Sequence, residues 1–217
     1  MNANIPPRAA LLLDFISKGE VGTTGPEGYD IIVFNKQTKL PKPLTQYTID
    51  ELLSAQKTWA KNWGGSAAGR YQIIRKTLLG LIESLGIPGS TLFSPDVQDR
   101  LGYALLTQRG WQAFTSGQVT GSAYALQLAK EWASIPVLAT TKGAHRTVSR
   151  GESFYAGDGV NSAHRKADEL ESILTAARLR DPPAPKPIPI PAPVPQDKGL
   201  FGLLLAVVQF ILGLWKK

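Results

Sequence analysis

Between residues 181 and 197 stand eight of the chain's sixteen prolines, alternating with Ala, Ile, Val and Lys. Proline has no peptide N–H and a fixed φ, so such a run joins neither a helix interior nor a central strand. A polyproline II linker is expected over 181–198. It divides the chain: residues 1–180 must bury a core of their own, and the segment beyond the prolines is a separate piece. That piece, 199–217, carries an apolar run from Gly199 to Trp215 in which Gln209 is the strongly polar side chain, bounded by Lys198, Lys216 and Lys217. As a helix it would be about 25 Å long, short of the roughly 30 Å hydrocarbon core of a bilayer. Its apolar residues lie all round, so an enclosed helix is expected, docked on the domain or in contact with a membrane or viral envelope.

The chain contains no cysteine, which removes disulfides and thiol catalysis. A zinc site could draw on His145 and His164 with Glu152, Asp158 or Asp168, but none stands at H-E-x-x-H or H-x-H spacing, and no metal or other cofactor is expected. Nucleophile-elbow and phosphate-loop motifs are absent, so serine hydrolases of that kind and P-loop enzymes are set aside. An excess of 24 Lys and Arg over 17 Asp and Glu suits an anionic partner such as a cell-wall polymer, a lipid headgroup or nucleic acid. The basic residues are dispersed, and the densest cluster, Lys142, His145, Arg146 and Arg150, reads as a solvated loop. Nucleic acid is not expected as a partner. Pro6-Pro7 and Arg8 precede only a few apolar residues before Asp14, unlike a secretory signal, so delivery is expected to depend on something other than this segment.

Leu11, Leu12, Phe15 and Ile16 recur at helical spacing and Gly19 is a stop signal, which places Glu20 at the end of a first helix. Gly22, Gly25, Pro26 and Gly28 then break structure, and residues 29–34 read as a short β-branched strand. Thr48 and Glu51 form a capping-box pair opening a second helix. A small-residue loop, 64–69, leads to a helix over 71–85 that stops at Gly86. Ser94-Pro95 opens a helix ending by Gly110, another carries Ala125, Leu128, Ala129 and Trp132 before Pro136, and a last one spans 161–180. The class expected is α+β, mainly helical.

Cleaving a glycosidic bond needs a carboxylic acid still protonated near neutral pH, held on a rigid element in partly apolar surroundings. Glu20, behind Gly19 at a helix end, meets that need, although position alone fits a solvated glutamate better. The segments around it run in order: Ser17-Lys18-Gly19-Glu20, Gly28-Tyr29-Asp30, Gly69-Arg70-Tyr71-Gln72 and Glu131-Trp132-Ala133-Ser134-Ile135-Pro136. Gln98-Asp99, Arg109-Gly110 and Lys166-Ala167-Asp168 belong to the same series, which spans residues 8–178 and resembles the lambda-type endolysin family of lytic transglycosylases. With the proline-rich linker and apolar tail, the layout looks like the lytic protein of enveloped double-stranded RNA bacteriophages, the cystoviruses.

The resemblance implies a lysozyme-like domain over residues 1–180 that degrades peptidoglycan. Glu20 would act as acid and then base on the β-1,4 bond between N-acetylmuramic acid and N-acetylglucosamine, leaving a 1,6-anhydro product. It implies a monomer carried in the virion, acting on glycan strands in the host periplasm during entry and lysis. Tyr29, Ser66, Arg70, Tyr71, Gln72, Trp132, Ser134 and Tyr155 are the candidates for substrate binding, with Glu20 in a cleft between the early β element and the helical lobe. Three alternatives stay open: a muramidase hydrolysing the same bond with Asp30 across from Glu20, a zinc-dependent peptidoglycan endopeptidase, and a structural virion or membrane-binding protein.

Overall fold

Helix α1 (Pro7–Glu20) buries Ala9, Leu12, Leu13, Phe15, Ile16, Ser17 and Gly19, more than one stripe of its surface. A helix needs that much apolar surface only when neighbours cover it on several sides. Two do so in the computed structural model, which describes residue 1 and residues 4–178: α4 (Pro95–Gln108) and α7 (Ala167–Arg178) both pack on α1. The linker expected over 181–198 and the apolar segment 199–217 lie outside the described residues. Burying Leu12, Leu13 and Ile16 completely is worth about 1.5–3 kcal/mol each before ordering entropy, so α1 is the centre of the core. By contrast α7 buries Ala167, Leu170, Leu174 and Ala177, a single stripe at three- and four-residue spacing.

The remaining helices follow their caps. In α2 (Ile49–Trp63) the Thr48 hydroxyl accepts from the Glu51 N–H at 3.2 Å while the Glu51 carboxylate accepts from the Thr48 N–H at 2.8 Å. This reciprocal pair satisfies two N–H groups that the helix itself leaves unbonded. Ser94 and Thr120 cap α4 and α6 (Gly121–Glu131) through their hydroxyls, and α3 (Arg75–Leu85) ends at Gly86 in the left-handed conformation. Short α5 (Trp111–Thr115), not foreseen from the sequence, comes after Gly110 and stacks Phe114 on Tyr124 of α6 with centroids 4.7 Å apart.

The mainly helical α+β class stands, but the β element is elsewhere than expected. Residues 29–34 form no strand. A 3-10 turn covers Pro26–Asp30, a single bridge joins Ile32 to Ala68, and a second 3-10 turn, Val33–Asn35, comes next. Strand propensity needs a ladder partner, and the neighbouring 64–69 segment is too glycine-rich and too sharply turned to provide more than one rung. The sheet is instead the hairpin of β1 (Thr141–Lys142) and β2 (Thr147–Val148), with Thr141 opposite Val148, inside the stretch expected to be loop. Two-residue strands are too short for alternation to show.

Two helix starts also move. Helix α3 begins at Arg75 rather than Tyr71 because Gln72 adopts φ +47, which no right-handed helix accommodates. The final helix begins at Ala167 rather than Asn161: Asp158 accepts from the N–H groups of Val160 and Asn161, and the His164 N–H is committed to the Ser134 carbonyl at 2.9 Å.

Candidate active site

Glu20 is the last residue of α1, where the helix runs into a cavity of about 250 Å³ lined also by Ala67, Tyr71, Gln72, Trp132 and Ala133. Its half-buried carboxyl has one close partner: Oε1 accepts from the Ser134 hydroxyl at 2.6 Å and, at 3.4 Å, from the Ser134 N–H. Gly19 makes this approach possible, since a Cβ there would lie 2.6 Å from Ser134 Oγ. Ser134 is presented by the turn that ends α6, where the Trp132 N–H bonds the Leu128 carbonyl and the Ile135 N–H bonds that of Trp132. His164 ties the arrangement together, with Nδ1 3.1 Å from the Gly19 carbonyl and its N–H on the Ser134 carbonyl.

Burial pushes the Glu20 carboxyl above its ordinary value, opposed in turn by the Ser134 hydroxyl, the Ser134 N–H and the charge of His164. The net direction is up. A carboxylic acid that retains its proton at the edge of a cavity can donate it to an oxygen of a bound molecule.

The wall behind the cavity is a polar network. Gly69, at φ +71, turns the chain where any side chain would collide with Gln98. The Gln98 amide oxygen accepts from the Arg70 N–H at 2.9 Å, and its amide nitrogen donates to the carbonyls of Tyr29 and Phe93, both at 3.0 Å. Arg70 pairs with Asp14, donates to the Thr24 carbonyl at 3.0 Å and lies over the Tyr29 ring at 4.8 Å. Asp99 accepts from the hydroxyls of Tyr71 at 2.7 Å and Tyr29 at 3.0 Å. Burial and then the Asp99 charge push both phenols well above their ordinary range, so they remain donors.

The candidates for substrate binding therefore separate. Tyr29 and Arg70 are buried in this network and are not among the residues that line the cavity: the Tyr29 hydroxyl goes to Asp99, and the Arg70 guanidinium to Asp14 and the Thr24 carbonyl. Tyr71 and Trp132 do line it, but each is at most 3% exposed, and the Trp132 indole N–H is spent on the Tyr71 carbonyl at 3.1 Å. They form a packed wall rather than open stacking faces. Ser66 accepts from the Arg75 N–H and so caps α3, and the Tyr155 hydroxyl donates to the Lys130 carbonyl at 2.6 Å, outside the cavity. Gln72 and Ser134 remain beside Glu20, with the Gln72 amide nitrogen donating to the Gly69 carbonyl at 2.9 Å.

The cleft expected between an early β element and the helical lobe is bounded instead by the 67–74 segment and the end of α6. Sequence reasoning missed Glu131, which also lines the cavity and is paired with Arg109. It opens the motif that runs to Pro136, and its place at a helix end three residues before Ser134 was the available signal. Asp30 does not line the cavity; its carboxylate accepts from the Thr45 N–H at 2.8 Å. The carboxylates considered for zinc are engaged elsewhere, Glu152 by Arg146, Asp168 by Arg150 and Asp158 by the 160–161 turn. Among the described residues no group of three His, Asp or Glu could hold a metal ion.

The Endolysin family matches residues 10–161 of the chain. No curated protein matches it. Among solved structures it is similar to the lysozyme of bacteriophage lambda complexed with a chitohexasaccharide, at 20% identity over 81% of this chain and 96% of that one, with a TM-score of 0.48.

Proposed function

This chain belongs to the Endolysin family, phage lytic enzymes that degrade peptidoglycan, and on that footing we propose that it is a lytic transglycosylase with Glu20 as its acid and base. The observation that carries the proposal is the Glu20 carboxyl itself: half-buried, pushed toward its protonated form, and held in place by one serine at the edge of the cavity. Glu20 would protonate the oxygen between N-acetylmuramic acid and N-acetylglucosamine. The neighbouring N-acetyl group can stabilise the charge that develops at the anomeric carbon. The carboxylate left on Glu20 then takes the proton of the sugar's C6 hydroxyl, and that oxygen closes the 1,6-anhydro ring. Protons balance, water is not consumed and no second carboxylate acts.

Ser134 supports this cycle because its hydroxyl bonds the anion more strongly than the acid, which keeps the carboxyl within reach of both states. Gln72 leaves its amide oxygen free of the bonds its nitrogen makes, a suitable acceptor for an N-acetyl N–H. Asp30 accepts from the Thr45 N–H and is not among the residues lining the cavity, which favours the reading without a second carboxylate. A second reading has one observation in its favour: Glu131 is a further carboxylate lining the cavity, and hydrolysis would use it to activate water.

Mass spectrometry of products from purified peptidoglycan decides between them, with Glu20→Gln and EDTA-treated samples alongside. Ends in 1,6-anhydro-muramic acid, absent with Glu20→Gln and indifferent to EDTA, are expected. Reducing ends would make the protein a muramidase, and freed peptide ends that vanish with EDTA would remove both glycan readings. For location, the proposal is a monomer carried in the virion that reaches glycan strands in the host periplasm, supported by the proline-rich and apolar composition of 181–217. Fractionation of particles with antibody against the chain tests it.

A further inference from the structure

A glycan strand is an extended polymer and runs past a cavity of about 250 Å³. Outward from the cavity wall, the Ala67 carbonyl accepts from the Val33 N–H at 2.9 Å and Ala68 bridges to Ile32, which fastens the Val33–Asn35 turn directly to that wall. On this turn Phe34 is 59% exposed, while the other aromatic rings among the described residues are buried or half-buried. Phe34 and Asn35 both adopt left-handed backbone, φ 53 and 54. Two adjacent non-glycine residues there cost stability, and an exposed ring returns no packing for it.

The ring is not isolated. A Cβ at Gly65 would lie 3.6 Å from Phe34 Cε2, which puts Phe34 beside the end of α2. There the half-exposed Trp63 is braced by stacking on buried Trp59, with centroids 6.2 Å apart and planes at 15°. The Lys36 ammonium stands 5.6 Å above the Trp63 ring and has no carboxylate partner among the described residues. An exposed aromatic face and a cation held over a second ring thus stand next to the segment that walls the Glu20 cavity.

We propose that Phe34, Trp63 and Lys36 form an outer subsite for a carboxylate-bearing amino sugar of the glycan strand. Phe34 lies against a pyranose face, Trp63 holds the Lys36 ammonium beside it, and Lys36 pairs with a carboxylate on the sugar's lactyl ether or on the peptide attached to it. The inference rests on the glycan-cleaving reading and adds to it a means of preferring wall polymer over an uncharged chito-oligomer.

Binding is measured with the full chain carrying Glu20→Gln to prevent turnover, against chitohexaose, peptide-free glycan strands and peptide-bearing strands. Phe34→Ala is expected to weaken all three about tenfold and Phe34→Tyr to restore binding. Lys36→Gln is expected to weaken only the carboxylate-bearing strands, about threefold, an effect that fades in high salt. Whether it appears on peptide-free strands or only on peptide-bearing ones identifies the carboxylate. Phe34→Gly, which relieves the left-handed backbone, controls for folding and should bind as weakly as Phe34→Ala. Unchanged binding by both Phe34 variants, or an equal Lys36→Gln effect on chitohexaose, would overturn the subsite. A parent that binds none of the three probes would overturn the glycan-cleaving reading with it.

Discussion

Two carboxylates in this domain are held by hydroxyls brought from far along the chain, and they differ in how completely they are served. Asp99, 1% exposed, receives the phenols of both Tyr29 and Tyr71 inside a network that also engages Arg70 and Gln98. Glu20, half-buried at a cavity, receives one serine hydroxyl and one long N–H bond. A buried acceptor held by several donors keeps its shape, because every change of position costs hydrogen bonds. A carboxyl desolvated with few donors keeps its proton and can exchange it. The first cluster builds the wall against which the second works.

The widest gap between the two should appear in activity. Glu20→Gln is expected to lower turnover of peptidoglycan by about a thousandfold or more, the ordinary worth of a general acid that also serves as base, measured as release of soluble muropeptides. The same variant should be more stable. The folded-state value of Glu20 is raised above its ordinary 4.5, so the folded protein binds that proton more tightly than the unfolded chain and loses stability as pH rises from there. Glutamine removes the loss and keeps an acceptor for Ser134. A gain of about 2–4 °C in Tm at pH 7 is expected, vanishing at about pH 4 and below.

Asp99→Ala should behave in the opposite way, leaving two buried phenols without their acceptor. A loss of roughly 3 kcal/mol is expected, about 6–12 °C in Tm, and activity should fall only as the folded fraction falls. Thermal melts beside activity normalised to folded protein separate the two outcomes.

Ser134→Ala is expected to cost about tenfold in activity and to leave a directional mark. Ser134 stabilises the anion, so its removal raises Glu20 further, and the alkaline limb of the pH profile should move to higher pH. A limb that stays in place would mean Glu20 is not the titrating acid. The smallest effect is expected for Asp30→Asn, which keeps an acceptor for the Thr45 N–H: activity within about twofold of the parent, since Asp30 serves neither carboxylate cluster. A loss comparable to that of Glu20→Gln would instead give Asp30 the water-activating role.

The helices with caps or clear apolar spacing were legible in advance: α1 ending at Glu20, α2 with its Thr48–Glu51 box, α4 behind Ser94. Each depends on residues within a few positions of one another, so local chemistry suffices. Residues 29–34 had the composition of a strand and lacked one thing that no local pattern carries, a partner able to form a ladder. Gln72 was expected inside a helix because nothing in its neighbourhood announces a left-handed residue; its conformation is set by bonds from the 68–69 turn.

At the site, the sequence by itself determined Glu20 at a helix end behind a glycine, and the set of segments that would gather round it. The tertiary structure decided what each segment does there. Glu20 and Ser134 are 114 residues apart, and the close packing that Gly19 permits makes one carboxyl both desolvated and bonded to Ser134. Tyr29, Arg70 and Tyr71, which as residue types could equally face a sugar, are turned inward because Asp99 accepts from both phenols and Asp14 from the guanidinium. Periodicity and caps read the backbone's local preferences, but desolvation and hydrogen-bond supply belong to neighbours that exist only once the chain has folded.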